Sequence, residues 1–327
     1  MADSDLVMRN PGWDTLYCPF EIMGQTMTCR LYSCSVVMLA ILVASGAQAQ
    51  EDPFAGVEIT TQEVAPGIYM LVGQGGNIGV SVGEDGVFMI DDQFAPLTDK
   101  ITAAISALSD QPIRFLINTH WHADHTGGNE NLGNRGVLIV AHDNVYERMS
   151  RDTEIAAFNM VVPAAPKAAL PVITFNDNVT FRLNGEEISV VHYSNSHTDG
   201  DSVIHFRNAN VLHTGDIWFN GLYPFIDVSS AGSIDGVISS IRMLINLADD
   251  DTRIIPGHGP LSDKQGMQGY LEMLETVRDR MNKLIAEGKS LEEIIELKPN
   301  ADYDTTLGKG FLKPEQFLQT LYSSLTQ

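Results

Sequence analysis

The sequence predicts an α/β fold built from two sheet-plus-helix halves packed face to face, with helices on the outside. Three observations carry this. Strand-like runs followed by helical runs occur twice along the chain. No linker rich in Pro, Gly or Ser divides the two sets, and no short-period repeat or low-complexity tract interrupts them. The polar residues that stand out for chemistry fall at the C-terminal ends of the expected strands, where function gathers on layered α/β folds.

The first set opens with "VEITTQEV", "GIYMLVG", "NIGVSVGE" and "GVFMIDD", apolar or alternating runs separated by Gly-rich turns. "LTDKITAAISAL" (97–108) has helical periodicity. "RFLINT" (114–119) reads as a strand and "GVLIVAH" (136–142) as another. "DNVYERMSRDTEIAAFNM" follows as a helix opened by an Asp cap. The second set has strands at "ITFNDNVTFRL", "EEISVVHYS", "SVIHFRN" and "ANVLHTGD". A helix follows at "SIDGVISSIRMLINLA", a strand at "TRIIPG" and a long helix at "KQGMQGYLEMLETVRDRMNKLIAEG". Closing helices are expected at 290–297 and 314–325.

The beginning of the chain reads as removable. Arg30 supplies a positive n-region, 36–44 a short apolar core, and Ala47-Gln48-Ala49 a small-x-small cleavage site. The apolar core is too short for a spanning helix. Residues 1–49 are therefore expected to be an N-terminal extension plus signal peptide, and 50–327 one large α/β domain. Residues 1–26 have no role in that reading, which suits translation starting at Met23 or Met27. The mature protein would be secreted, with the periplasm the expected compartment, and not stably inserted in a membrane. Cys18, Cys29 and Cys34 all precede the cut, so the mature form would have no disulfide and no thiolate metal ligand. Residues 50–327 keep 18 basic and 38 acidic residues, a net charge of about −20. Such a surface repels nucleic acid and anionic membrane and leaves a small molecule as the expected partner.

"NTHWHADHTGGN" (118–129) places three of the nine histidines and an aspartate within six positions. On an extended segment, i and i+2 point the same way, so His120 and His122 can aim at one metal. Asp124 and His125 come as the chain turns and can aim at a second. A four-coordinate site needs further ligands from elsewhere. His197 in "SNSHTDGDS", Asp216 in "LHTGDIWF" and His258 in "IIPGHGP" are the candidates, each after a strand. Seven ligands suit two metals that share a carboxylate. His142, His192, His205 and His213 read as structural, with His192 a possible support for the metal ligands. Asp199 and Asp201 read as turn residues. Trp121, Trp218, Phe219, Tyr223 and Phe225 are pocket-lining or packing residues, and Asn220 or Tyr223 could donate to an oxyanion.

The succession H-x-H-x-D-H, a distant His, Gly-Asp and Pro-Gly-His-Gly resembles the metallo-β-lactamase superfamily over nearly the whole mature chain. The resemblance implies an αββα four-layer sandwich with a two-metal site between the sheets. Position by position, His120, His122 and His197 resemble first-metal ligands, and Asp124, His125 and His258 second-metal ligands. Asp216 resembles the bridging aspartate of glyoxalase II-like members, and Asp91 in "FMIDD" an aspartate that steadies the histidine loop from behind. The expected activity is a secreted hydrolase with two Zn²⁺, iron or manganese being compatible with the same ligands. A metal-bridging hydroxide, oriented by Asp124, would attack an amide, lactam, lactone or thioester carbonyl. The largest β-lactamase subclass has Cys where Asp216 stands and Lys where Phe219 stands. β-Lactam hydrolysis is therefore expected to be weak at most. The alternatives are a lactone or thioester hydrolase, or a mononuclear-iron persulfide dioxygenase-like oxidoreductase.

Overall fold

The structure is a computed structural model and describes residues 52–327. The expected signal peptide and the three cysteines lie outside the described residues. Residues Glu51–Gln327 form one compact unit.

The chain starts with an antiparallel meander, β1 (Thr60–Ala65), β2 (Ile68–Val72), β3 (Ile78–Ser81) and β4 (Val87–Ile90). Helix α1 (Thr98–Ser106) crosses to β5 (Ile113–Ile117), parallel to β4. The short helices α2 (Ala123–Thr126) and α3 (Asn129–Asn134) lead to β6 (Leu138–His142), parallel to β5. Helix α4 (Asp143–Met149) is followed by a separate hairpin, β7 (Thr153–Ile155) and β8 (Met160–Val162), before β9 (Ile173–Phe175) completes a seven-stranded sheet. The second sheet has six strands in sequential order: β10 (Asn178–Leu183), β11 (Glu186–His192), β12 (Ser202–Phe206), β13 (Val211–His213), β14 (Arg253–Ile255) and β15 (Ser262–Asp263). Helix α5 (Ile234–Leu247) makes the crossover between the parallel strands β13 and β14. The chain closes with α6 (Lys264–Ala286), α7 (Leu291–Leu297), α8 (Ala301–Leu307) and α9 (Pro314–Leu325).

Side-chain alternation sorts these strands into layers. Phe88 and Ile90 of β4 pack in one buried cluster with Ile188 and Val190 of β11 and Ile204 and Phe206 of β12, so the two sheets face each other. Val87 and Met89 point the other way, onto Leu97, Ile101 and Ile105 of the α1 segment, spaced one helical turn apart. Leu212 and Ile254 leave the second sheet's far face to meet Val237, Ile241 and Leu244 of α5 and Met267, Leu274 and Val277 of α6. Helix, sheet, sheet, helix is the expected αββα order. The outer helices are capped as their sequences require: Ser233 accepts from Gly236 N, Asp263 from Gly266 N, and Ser290 and Glu293 form a capping box.

Three local expectations are corrected. The helix expected over the whole of 143–160 ends at Met149, and Thr153 Oγ1 takes the carbonyl of Arg148 at its end. The rest is the β7–β8 hairpin, turned by Asn159 in the left-handed region at φ 47°. Its opening residue Asp143 is not the cap either. The His142 ring accepts from Asn144 N, and Asp143 lies in the first turn. "ITFNDNVTFRL" is two strands, because the chain bends at Asn176-Asp177 and passes from the edge of one sheet to the edge of the other. Apolar alternation runs through that bend, so periodicity does not reveal it. Helix α8 was not anticipated.

Phe206 is fully buried between the sheets with its ring 6.2 Å from that of Phe88. Phe206→Ala is expected to cost about 3–5 kcal/mol of unfolding free energy, read by urea denaturation. A loss below about 1 kcal/mol would mean that this layer does not hold the sheets together.

Candidate metal centre and active-site cleft

Five strands end at the same edge of the sandwich, and the loops after them carry the polar residues. Asp91 follows β4, residues 118–125 follow β5, His197 follows β11, Asp216 follows β13 and His258 follows β14. The structure brings all seven sequence-predicted ligand side chains together at this edge. They fall into two groups, His120 with His122 and His197, and Asp124 with His125 and His258, joined by a third that overlaps them, His120 with His125 and Asp216.

In the first group the inner ring nitrogens converge. His122 Nδ1 lies 3.1 Å from His120 Nε2 and 2.9 Å from His197 Nε2. Each outer nitrogen is held by an acceptor. His197 Nδ1 is 2.8 Å from the carbonyl of Phe225, and His122 Nε2 is 3.1 Å from Asp227 Oδ2. His120 Nδ1 is 3.1 Å from Thr119 Oγ1, whose own proton goes to Asp91 Oδ2. With the outer nitrogens donating, the inner ones present lone pairs to a common point. Burial pushes His120 well below its ordinary pKa, with His125 adding to the effect, and takes His197 down to about 4. Both rings are neutral donors at neutral pH.

The second group is rich in carboxylate. Asp124 Oδ2 lies 3.2 Å from His258 Nε2 and 3.6 Å from His125 Nε2. His125 Nδ1 is 2.8 Å from Asp91 Oδ2, which fixes the ring from behind. Burial works against charge here, yet Asp216, Asp124 and Asp91 hold His125 well above its ordinary value. Asp216 and Asp124 likewise lift His258 to about 9. His125 and His258 in turn keep the buried Asp216 carboxyl well below the usual range, and Asp124 down at about 2. This end of the cluster favours positive charge at its centre.

Asp216 stands between the groups. Its Oδ1 is 3.1 Å from His125 Nε2 and 3.4 Å from His258 Nε2, while its Oδ2 is 3.8 Å from His120 Nε2 and 3.6 Å from His197 Nε2. Oδ1 is fully buried and, among the described residues, has no well-aligned hydrogen-bond partner, the His125 and His258 nitrogens being its close polar neighbours. An orphaned buried carboxylate oxygen is expensive, and a bound cation satisfies it. Converging lone pairs, an orphaned anion and a demand for positive charge all fit a pair of divalent metals with N and O ligands. Close approach is possible because positions 76 and 257 are glycine. A β-carbon on Gly76 would overlap the His125 ring, and one on Gly257 would overlap Asp216 Oδ1.

The supports behind the cluster were only partly legible. Asp91, expected to steady the histidine loop, accepts from Thr119 N and Thr119 Oγ1, both at 2.7 Å. It does so from a left-handed backbone at φ 58°, a strain of the kind found at functional sites. Asp227 was missed. Nothing in "YPFIDVSS" marks it as the partner of His122; only the local cap it forms on Ser230 N is a sequence-level signal. Asn77 was also missed. Its side-chain amide donates to the carbonyls of Pro256 and Gly259 and so pins the His258 turn to the opposite sheet.

Other expectations are corrected. His192 does not support a ligand; it stacks on His142 with ring centroids 3.7 Å apart. Asn220 is not among the residues lining the cleft, and its side-chain amide donates to Pro260 O. The Tyr223 hydroxyl is spent on Asn300 O and Asp304. Trp218 is buried away from the cleft beside Tyr270, and the Trp121 indole N–H goes to Ser230. Phe219, Tyr223 and Phe225 do line a cleft of about 620 Å³ whose floor includes His122, Asp124, Asp216 and His258. Phe219 stacks on His258 at 5.0 Å between centroids. Arg253, a strand residue, pairs with Val211 at the end of β14 remote from the cluster.

The family model described as the metallo-beta-lactamase superfamily matches residues 71–258, more than half of the chain. The Caenorhabditis elegans protein "Beta-lactamase-like protein 2 homolog" is 25% identical over 214 residues, 63% of this chain and 63% of that one. The matched part thus spans less than two thirds of that relative. The Haemophilus influenzae hydroxyacylglutathione hydrolase GloC is 28% identical over 158 residues, 46% of this chain and 70% of its own. Among solved structures, a metallo-beta-lactamase from Pontibacter korlensis superposes with a TM-score of 0.55 at 19% identity, covering 67% of this chain and 99% of that one; at that identity the likeness shows the fold alone. A matched span that begins in β2 and ends on His258 takes in both halves of the sandwich and every residue of the cluster, and the chain belongs to the metallo-β-lactamase superfamily.

Proposed function

We propose that the protein is an exported two-metal hydrolase, zinc-loaded, acting on small carbonyl substrates, with lactones, esters and thioesters ahead of β-lactams. The observation that carries this is Asp216, one carboxylate with an oxygen turned to each of two histidine groups. When bound, such a metal pair supplies Lewis acidity and brings the pKa of water towards 7. The chain does the rest. Thr119, Phe225 O and Asp227 hold three imidazoles in the tautomer that leaves a lone pair inward. Asp124 has a side chain 30% exposed at the cleft floor, placed to accept a hydrogen bond from an attacking water and orient it. The apolar walls exclude bulk water and so strengthen charge interactions at the floor. Export is supported by the leader-like stretch ending at Ala49. Among the described residues no helix is long and apolar enough to cross a membrane.

Metal content measured by mass spectrometry on protein purified with zinc is expected to be two equivalents. His120→Ala should lose one of them and essentially all hydrolysis, and Asp216→Ala should weaken both. One equivalent of iron with oxygen consumption would overturn the proposal in favour of an oxidoreductase.

Removal of metal by a chelator should lower the thermal midpoint. A ligand present at a thousand times its dissociation constant stabilises by about 4 kcal/mol, so a shift of about 5 °C or more is expected in calorimetry, reversed by added zinc. No shift would mean that the seven side chains do not hold metal in the folded state.

Penicillins carry a carboxylate, and among the described residues no Lys or Arg lines the cleft. Turnover is expected with a measurable kcat and a high KM. Phe219→Lys, which puts an ammonium into the cleft, should lower KM by about tenfold. Tight binding by the wild type would show that another cation reaches the substrate.

A further inference from the structure

The cleft is lopsided in its chemistry. Its floor is the His and Asp cluster, and its walls are almost wholly hydrocarbon. Ile155, Phe158 and Met160 come from the β7–β8 hairpin, Leu222 and Phe225 from the loop after β13, and Phe311 from the loop before α9. Among the lining residues the only charged groups are the metal-cluster members, and apart from these the one side-chain amide is Gln74, at the exposed rim. At about 620 Å³ the cleft is of the size that takes a whole small-molecule substrate.

The rim is more telling than the walls. Phe311 is 69% exposed and Phe158 38% exposed, with their rings 5.5 Å apart; Met160 beside them is 43% exposed. Large apolar side chains gathered at the mouth of a cavity mark a surface meant to be covered. The path between this rim and the floor is continuous and apolar: Phe158 also packs on Phe225 at 4.9 Å, and Phe225 lies 5.8 Å from the ring of His122. An occupant that spans from floor to rim lies against hydrocarbon, and any polar group along it would be desolvated.

We propose that the substrate is a neutral acyl compound, an ester, lactone or thioester, whose acyl part is a long unbranched or lightly branched hydrocarbon chain running from the metal floor to Phe158 and Phe311. The proposal depends on the floor being the reacting centre, as the proposed function has it. The acyl carbonyl sits at the floor and the chain fills the cleft. Each methylene moved from water into such walls favours binding. The strongly acidic chain, with a net charge of about −20 over residues 50–327, disfavours anionic competitors.

The test has two arms on zinc-loaded protein. The first measures calorimetric binding of methyl ketones, which carry the carbonyl and the chain but have no bond to hydrolyse: 2-butanone, 2-hexanone, 2-octanone and 2-decanone. Affinity should rise about threefold per methylene and by at least about 100-fold over the series. The double variant Phe158→Ser, Phe311→Ser should remove about tenfold of the gain, and only for the longer ketones, because both rings stand at the rim. The same variant should keep its thermal midpoint, since neither ring is buried. The second arm measures KM for 4-nitrophenyl acetate, hexanoate and decanoate, which should fall in the same order. Length-dependent ketone binding without ester cleavage would support the cleft's selectivity and overturn the hydrolase reading instead. Ester cleavage with no dependence on chain length, in ketone binding or in KM, would overturn the present proposal and leave the hydrolase standing.

Discussion

Everything at the working edge depends on holding lone pairs and carboxylates closer together than they would stay unaided. Three imidazole nitrogens point at one another at 2.9–3.1 Å, and Asp216 keeps a buried oxygen without a well-aligned hydrogen-bond partner. Such an arrangement costs free energy in the folded chain, and a cation repays it on binding. The sandwich makes the arrangement possible. Two sheets locked face to face by Phe88, Phe206 and their neighbours present five strand ends to one edge. Rigid backbones then fix loops that would otherwise separate. Backbone strain at Asp91 and the close approach at Gly76 and Gly257 are local consequences of this convergence.

The outer ligand contacts divide the labour. His122, His197 and His120 are anchored on three different acceptors: a carboxylate, a main-chain carbonyl and a hydroxyl. A carboxylate behind an imidazole raises its basicity more than a carbonyl does. The Asp227–His122 pair is thus the strongest lever on electron density at the first group, and the same Asp227 is tied to Ser229 and Ser230. The second group has its lever in Asp91, which reaches Thr119 and His125 at once and so couples the two groups through one side chain.

Much of this was legible in the chain itself, and the exceptions have physical causes. The two-fold run of strands then helices, and the crowding of ligand-type residues into 120–125, carry the fold and the cluster because periodicity and residue chemistry are local signals. His197, Asp216 and His258 each sit in ordinary-looking turns; only the cluster's need for partners singles them out. Asp227 and Asn77 act across 105 and 179 residues of sequence, and no local pattern announces such contacts. The β7–β8 hairpin was read as helix because "DTEIAAFNM" has helical formers and no Gly or Pro to break it. Its strand character comes from pairing of Thr153 with Val162 and Ile155 with Met160, a tertiary preference that overrides propensity.

That misread hairpin is also what gives the cleft its character. Without it, one wall of the site would be open to water and the floor would resemble an exposed acidic patch. With it, Ile155, Phe158 and Met160 close that side in hydrocarbon. A small separate hairpin has few contacts of its own to hold it, and two-stranded ribbons are marginal alone. It is kept in place by Ile155, buried in one cluster with Trp121, Val145 and Phe225, and by Ala156 N donating to Ser229, while Ala164 N donating to Asp152 closes its base. Ser229 also donates to Asp227, the support of His122. The apolar wall and the inner ligand set therefore share one short hydrogen-bonded chain, from hairpin to serine to aspartate to imidazole. A displacement of the wall by an occupant of the cleft has a direct physical route to the geometry of the first group.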